Sequence, residues 1–238
     1  MKTLIKKKTT ISDKDNLILL CNKKSKLSDF NLSKKEMGYI KKEQKCNSEI
    51  IAINQYGRHI FVILPKKEKD ANKHAENCRL LGDNLVSKLK DEKSALIVDV
   101  KGNQTEAMQI AEGMALSNYT FTKHKTKGNP NKLTTIYLCK KSNEKDIQEL
   151  QNIVNSVYLT RDLINEPANE ITPIALANVA KELARHNDSI RCRVLSEPSI
   201  EKLGMGALLA VGQGSNNPSH FIILDHKHHL KSRPLVFV

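Results

Sequence analysis

Apolar and polar residues alternate, or recur at helical spacing, along the whole first half of the chain. Short β-rich runs predict strands, and Gln55-Tyr56-Gly57 between two of them predicts a β-hairpin. Apolar residues at steps of three and four predict amphipathic helices, one of which opens with a capping-box pair, Ser33 and Glu36. The predicted elements are strands at 3–8, 17–22, 49–54, 58–64, 95–100 and 133–139, and helices at 33–45, 71–89 and 104–117.

The second half of the chain predicts one long helix followed by shorter elements. The helix begins near Asn143 and ends at Pro167, because proline lacks a backbone N–H and clashes with the preceding turn. Thr172 and Pro173 suit the cap and first turn of another helix. Small apolar residues at 207–215 predict a strand and a turn. The remaining predictions are strands at 192–196, 221–226 and 234–238 and a short helix at 198–203.

The order of these elements predicts the fold class. Strands that alternate with helices indicate an α/β protein built on a mixed sheet. The continuous apolar run at 95–100 is typical of a strand covered on both faces. We therefore predict a three-layer α/β domain at 1–142, a linking helix at 143–170 and the strands and helices of a second α/β region at 171–238.

The composition is that of an ordinary globular protein, with 39% apolar and 27% charged residues in 238. No apolar stretch reaches the roughly 18 residues of a membrane-spanning helix, so we expect no membrane contact. The N-terminus lacks a signal-peptide core. The five cysteines are scattered without a C-x-x-C pair. These features predict a protein of the reducing cytoplasm, without a disulfide framework or a cysteine-rich zinc module.

Positive charge is concentrated in the first half of the chain. The formal net charge is +13, and residues 1–150 carry 30 basic and 18 acidic side chains against 9 and 8 in residues 151–238. A basic half suits contact with nucleic acid. Its basic residues are mainly lysine, however, and aromatic residues are only 4% of the chain, whereas nucleic-acid readers use arginine and aromatic side chains. We favour a compositional origin and expect at most weak, non-specific binding.

Two segments have residue types that occur in ligand sites. The run Asp-His-Lys-His-His at 225–229 offers ligands for zinc or copper, but adjacent residues in a loop point apart instead of converging. The glycine-rich segment 212–215 resembles a phosphate-binding turn. The dinucleotide fingerprint needs a third glycine and a following helix, whereas residues 216–218 lead into a predicted strand. We interpret both segments as turns.

Three charged residues, Arg161, Asp162 and Glu166, lie at helical spacing and could pair with one another or across an interface. The chain contains no G-x-S-x-G nucleophile elbow and no paired carboxylates at a strand end. Its residues alone therefore predict no catalytic and no metal-ligating side chain, and they leave a substrate-binding site undefined.

The most specific pattern begins at Arg161 and covers about 75 residues. It reads RDLINEPANEITP, then a helix and a strand, then LGMGALLAVGQGS and the segment PSHFIIL. This order resembles the leucyl (cytosol) aminopeptidase family, whose members carry R-D-L-x-N-x-P-A-N-x-x-T-P and L-G-M-G-x-L-L-A-V-G-x-G-S followed by a P-x-x-I-x-L strand. The first half of the chain is similar in length and position to the family's divergent N-terminal α/β domain.

The resemblance implies a metallopeptidase that hydrolyses the first peptide bond of peptides with two divalent cations, zinc or manganese. The family's metal ligands lie in two motifs, G-K-G-x-x-x-D-[ST]-G-G after a strand like 234–238 and N-T-D-A-E-G-R far downstream. Neither motif occurs in the 238 residues. We therefore predict a fragment that stops before the first metal motif, holds no cofactor of its own and is inactive alone.

Other functions stay open beside this one. The basic first half could bind nucleic acid or a phosphorylated ligand, as some relatives bind DNA. The chain could also form a homo-oligomer or dock on an intact paralogue, because the family forms hexamers. Residues 165–238 are expected to expose an apolar face and an unpaired strand edge, which predicts self-association.

Overall fold

The computed structural model describes residues 2–127, 130–139, 142–226, 233 and 235–237. The chain divides into two compact units, residues 1–162 and residues 163–238. The strands of the described part are β1 (Leu4–Lys8), β2 (Leu17–Leu20), β3 (Ile50–Asn54), β4 (His59–Ile63), β5 (Ser94–Asp99), β6 (Thr135–Cys139), β7 (Ile190–Ser196) and β8 (His220–His226). The helices are α1 (Lys34–Lys45), α2 (Ala71–Lys88), α3 (Gln104–Ser117), α4 (Glu144–Asn165), α5 (Pro173–Arg185), α6 (Glu197–Lys202) and α7 (Gly206–Gly212).

The N-terminal unit is built on a six-stranded mixed sheet with the order β1-β6-β5-β2-β4-β3. The first five strands in this order are parallel, and β3 joins the edge antiparallel to β4 through the predicted hairpin. The central strand, β2, is the most deeply buried, and each of its four residues has no solvent exposure. A strand that is apolar at every position needs cover on both faces, and this sheet provides it.

Two hydrophobic clusters cover the two faces of the sheet. One face packs under α2, α3 and α4, whose buried residues follow the predicted helical spacing. The other face packs under α1 and a 3-10 helix at Ser28–Phe30. The capping box predicted at Ser33 and Glu36 is present, with both of its hydrogen bonds. These layers confirm the predicted three-layer α/β fold.

Helix α4 packs into the core of the N-terminal unit. Its buried residues include Leu150, Val154 and Tyr158. Gln151 binds the first strand region at two points: Oε1 accepts from the Ile5 N–H at 2.6 Å, and Nε2 donates to the Thr3 carbonyl at 3.2 Å. The division between the two units falls after residue 162, within this helix. The predicted domain bounds at 142 and 170 stay a prediction.

The C-terminal unit contains a two-stranded antiparallel sheet, β7 and β8, against which α5 packs. Helix α5 buries only a small part of its apolar surface. Its buried residues are Ala177 and Ala180, whereas Leu176 and Leu183 are about 40% exposed. The cover that α5 gives the strands is therefore narrow. No helix in the described parts of the chain is long and apolar enough to cross a membrane.

Two further predictions for this unit are corrected. Residues 207–215 were expected to form a strand and a turn, but the chain is helical to Gly212 and turns afterwards. Residues 234–238 were expected to form a strand, and the described residues 235–237 lie in none. Their side chains are 78–92% exposed. A strand needs hydrogen bonds from a neighbour, and no strand of the described chain pairs with this segment. Residues 234 and 238 lie outside the described residues.

Candidate functional site

A cleft of about 370 Å³ lies beyond the carboxyl ends of the parallel strands in the N-terminal unit. Its lining includes Thr9 just after β1, Asp99 at the end of β5 and Cys139 at the end of β6. Open α/β sheets bind ligands at this edge. Lys26 and Asp29 also line it. Its described lining therefore mixes one basic with two acidic side chains, and its charge selects no single class of ionic ligand.

The predicted turn at 212–215 lines a second cleft, inside the C-terminal unit. Two carboxylates, those of Glu197 and Glu201, line the same cleft. Glu197 also accepts a hydrogen bond from the Ser219 N–H at 2.8 Å. Negative charge on both residues disfavours a phosphate. The interpretation of this segment as a turn rather than a phosphate site is consistent with this geometry.

The histidine-rich run is only partly described. Asp225 and His226 end β8, where Asp225 pairs in register with Arg191 of β7. Residues 227–229 lie outside the described residues. The two described residues of this run, Asp225 and His226, thus form the end of a strand.

The charged residues near the end of α4 bind this helix to the last turn of α3 and to Tyr119, which follows α3. Arg161 donates from Nη1 to the Leu116 carbonyl at 2.6 Å, and its guanidinium lies 5.4 Å from the centre of the Tyr119 ring. Asp162 Oδ1 accepts from the Tyr119 hydroxyl at 2.8 Å. These contacts give Arg161 and Asp162 structural partners in Leu116 and Tyr119, whereas the pairing of the charged residues with one another stays a prediction.

A different cluster, which no sequence pattern predicted, lies between α2 and α3. His74, Cys78 and Glu106 place one nitrogen, one sulfur and one carboxylate oxygen within 4.8 Å of one another. His74 Nε2 is 3.0 Å from Glu106 Oε1. Lys101 forms an ion pair with the other oxygen, Oε2. Within the described part of the chain, it is the one group of three such side chains that converges in this way.

Most of this cluster is withdrawn from solvent. Cys78 has no exposure, and the side chains of Glu106 and His74 are 8% and 20% exposed. Burial raises the pKa of the Cys78 thiol to about 11, and the nearby Glu106 carboxylate adds to the rise. The thiol is therefore protonated at neutral pH when nothing else is bound, and it is a poor nucleophile.

Two glycines explain how these side chains come together. A Cβ on Gly82 of α2 would collide with the backbone of Ile110, and a Cβ on Gly113 of α3 would collide with the backbone of Arg79. The two helices therefore approach more closely than side chains would allow. The sequence shows His74 and Cys78 four residues apart on one helix, but it does not show that Glu106 faces them.

The comparisons with known proteins concern both halves of the chain. Residues 158–238 match the model of the cytosol aminopeptidase family, catalytic domain. A probable cytosol aminopeptidase of Rhizobium etli is 36% identical over 170 residues, which are 66% of this chain and 34% of that protein. One of Aquifex aeolicus is 35% identical over 191 residues, 75% of this chain and 38% of that protein. The chain thus spans little more than a third of the length of these relatives.

Solved structures share the fold. A mutant of tomato leucine aminopeptidase superposes on 98% of this chain and 52% of its own, with a TM-score of 0.77 and 21% identity. The bottromycin maturation enzyme BotP, in complex with Mn, superposes on 89% of this chain and 45% of its own, with a TM-score of 0.67 and 20% identity. At these identities the likeness establishes the fold.

The layered mixed sheet and its structural neighbours thus define an α/β protein that shares the fold of the tomato leucine aminopeptidase mutant. The sequence matches make the assignment more specific. The chain is a partial match to the cytosol (leucyl) aminopeptidase family, and the family match at 158–238 confirms the resemblance of the motifs from Arg161 onward.

The residues present do not fit the two-cation centre that this family implies. In the described part of residues 158–238, no three histidine, cysteine or acidic side chains converge. The His74 cluster lies in the N-terminal unit, outside the matched segment, and offers three ligands where two cations need more. One structural neighbour, BotP, was solved in complex with Mn.

Proposed function

We propose that this chain is the N-terminal portion of a metal-dependent aminopeptidase that removes N-terminal residues from peptides in the cytoplasm. The observation that carries the proposal is the motif order from Arg161 onward, together with the catalytic-domain match at 158–238. In this organisation, residues 1–142 form the N-terminal domain, 143–170 the linking helix and 171–238 the start of the catalytic domain.

The chain's own contribution in this proposal is a scaffold. When bound in the family, two divalent cations, zinc or manganese, activate a water molecule and polarise the peptide carbonyl. Their ligands belong to motifs that these 238 residues do not contain. Arg161 and Asp162 hold α4 against the N-terminal core through Leu116 and Tyr119. This bracing fixes the helix that leads into the catalytic part.

An activity assay tests the proposal directly. We expect the purified 238-residue protein to leave leucine amide and leucine anilide intact when manganese or zinc is added, because the metal ligands are missing. The full-length aminopeptidase of Aquifex aeolicus serves as the positive control under the same conditions. Turnover that survives repurification and disappears on chelation would contradict the scaffold role.

The gene itself provides a second test. Reading the DNA downstream of codon 238, in all frames, should reveal a G-K-G-x-x-x-D motif if the chain is a portion of a longer family member. Absence of that motif in every frame would contradict the proposed organisation and favour the alternative below.

The alternative is a docking subunit that associates with intact aminopeptidase subunits, or with copies of itself. The observation that favours it is the exposed apolar surface of the C-terminal unit, which includes Leu203, Val211 and Leu224. Co-purification of the tagged chain with a full-length paralogue would support this role. Binding to nucleic acid or a phosphorylated ligand is not favoured by the family match.

A further inference from the structure

The cluster of His74, Cys78 and Glu106 has the side chains and the shape of a cation site. His74 and Cys78 are four residues apart on α2, so both project from one face of this helix. Glu106 lies in the first turn of α3, capped by Asn103. The close approach of α2 and α3 brings the three ligand atoms within 4.8 Å of one another.

We propose that His74, Cys78 and Glu106 bind one zinc ion between α2 and α3. Zinc takes sulfur at about 2.3 Å and nitrogen or oxygen at about 2.0–2.2 Å, so tetrahedral ligands lie about 3.4–3.6 Å from one another. The His74 and Glu106 atoms are now 3.0 Å apart. No two of the three ligand atoms are more than 4.8 Å apart, so each atom has to move by less than about 1 Å to reach these spacings.

The atoms around the cluster already orient two of the three ligands. His74 Nδ1 lies 3.1 Å from the Lys66 carbonyl, so its N–H donates there and leaves Nε2 directed at Glu106. Asn103 Nδ2 donates to Glu106 Oε1 at 2.8 Å. Metal-bound histidines and carboxylates are held by outer partners of these kinds, a carbonyl behind the imidazole and a donor on the carboxylate.

The charges also balance when zinc is bound. The Cys78 thiolate and the Glu106 carboxylate supply two negative charges to the dication, while Lys101 keeps its ion pair with Glu106 Oε2. Binding replaces the direct contact between His74 and Glu106 and releases the thiol proton of Cys78 to solvent, as thiolate coordination requires.

The ligand types select zinc over the cations that prefer oxygen. One sulfur, one imidazole and one carboxylate suit zinc or cobalt, whereas magnesium and manganese prefer oxygen ligands. Three protein ligands leave a fourth position for water. The partly exposed His74 side provides the entry path, because Cys78 and Glu106 are buried behind it.

Cobalt is the probe that distinguishes this site from a histidine-rich surface. The full 238-residue protein is stripped with a chelator and titrated with Co²⁺, and then with Zn²⁺ as the competitor. Because residues 226–229 include three histidines, the titration is made in a H228Q/H229Q background. We expect one Co²⁺ per chain, a thiolate-to-cobalt charge-transfer band in the near ultraviolet, and displacement by Zn²⁺.

Matched variants assign the band to its ligands. Cys78→Ser should abolish the band and weaken binding at least about tenfold. We expect the same two effects from His74→Gln and from Glu106→Gln, which disturb the packing of the core less than Cys78→Ser does. Cys46→Ser removes an exposed thiol, and His59→Gln removes a histidine that lies beside a different glutamate, Glu92; neither should change the titration. Circular dichroism confirms that each variant is folded.

Thermal unfolding separates a metal site from a simple clamp between the helices. Zn²⁺ should raise the melting temperature of the parent protein by several degrees and leave that of folded His74→Gln unchanged, because ligands that bind only the folded state stabilise it. If the cluster were only a His74–Glu106–Lys101 ion pair, Zn²⁺ would shift neither. That result, absence of the cobalt band in the parent, or an unchanged band in Cys78→Ser would overturn the proposal.

Discussion

The N-terminal unit buries apolar side chains on both faces of its sheet, whereas the C-terminal unit leaves most of its own in contact with solvent. All four residues of β2 have no exposure, while the described strands β7 and β8 contain no buried residue. In the C-terminal unit the buried apolar residues of the described chain are Ala177, Ala180 and Ile200. Most of this unit's large apolar side chains are at least partly exposed to solvent.

The difference indicates which part of the chain can fold independently. A three-layer unit of about this size buries enough apolar surface for a stable core. A two-stranded sheet with one packed helix is marginal in water, because three or more strands or wider cover are needed. The family match begins at residue 158, so the weakly packed unit is the one with the catalytic-domain sequence.

Self-association is the largest effect that we expect from this difference. The full chain should form dimers or larger species at micromolar concentration, because exposed apolar patches and strand edges recruit other chains. A chain of residues 1–165, which keeps the whole of α4, should be monomeric. Sedimentation velocity of both proteins makes the measurement. A monodisperse full-length monomer that binds no hydrophobic dye would contradict the comparison.

Matched leucine substitutions compare packing within the two sheets. Leu138 in β6 has no exposure, whereas Leu224 in β8 is 47% exposed. We expect Leu138→Ala to lower the free energy of unfolding by about 2–5 kcal/mol, and Leu224→Ala by less than about 1 kcal/mol. Urea denaturation followed by circular dichroism provides both values. Equal losses would mean that the C-terminal unit is packed as tightly as the N-terminal one.

Glycine substitutions test the same contrast with a single methyl group. A Cβ on Gly113 meets the backbone of Arg79, which cannot move aside without separating α2 from α3. We expect Gly113→Ala to cost about 1–3 kcal/mol. Gly206 opens α7, and nothing lies within 4 Å of a Cβ there, so Gly206→Ala should change stability by less than about 0.5 kcal/mol. The same denaturation experiment measures both variants, and a Gly113→Ala protein as stable as its parent would argue against the close helix contact.

Much of the N-terminal fold could be predicted from the sequence because its local signals agree. The apolar run at 95–100 predicted a strand covered on both faces, and Ala95 to Val98 are all buried. Apolar residues at steps of three and four predicted the helix at 71–89, and three of them, Cys78, Leu81 and Leu85, are buried on α2. In these segments, periodicity, caps and flanking turns all indicate the same element.

The remaining features depend on contacts that no local pattern contains. Residues 206–212 are a short run of small apolar residues without clear periodicity, a pattern that fits a strand or a helix equally. The His74, Cys78 and Glu106 cluster depends on how closely α2 approaches α3. His74 and Cys78 are four residues apart on a helix, a spacing that places two metal-ligating side chains on one face. This spacing is the sequence signal that could have indicated a metal site. The position of Glu106 beside them is a property of the tertiary fold.

Charge is the last difference between the units, and we expect its effect to be the smallest. Residues 1–162 carry 31 basic and 19 acidic side chains, whereas residues 163–238 carry 8 and 7. Any duplex DNA binding should therefore come from the N-terminal unit and should not depend on sequence, because lysines contact phosphates as point charges. For about four such contacts, the affinity should fall about 10²-fold between ~50 and ~200 mM salt. Fluorescence anisotropy with two duplexes of unrelated sequence, for the full chain and for residues 1–165, measures this dependence. A clear preference for one duplex near physiological salt would show that the basic surface reads bases, and it would overturn the compositional origin of the charge.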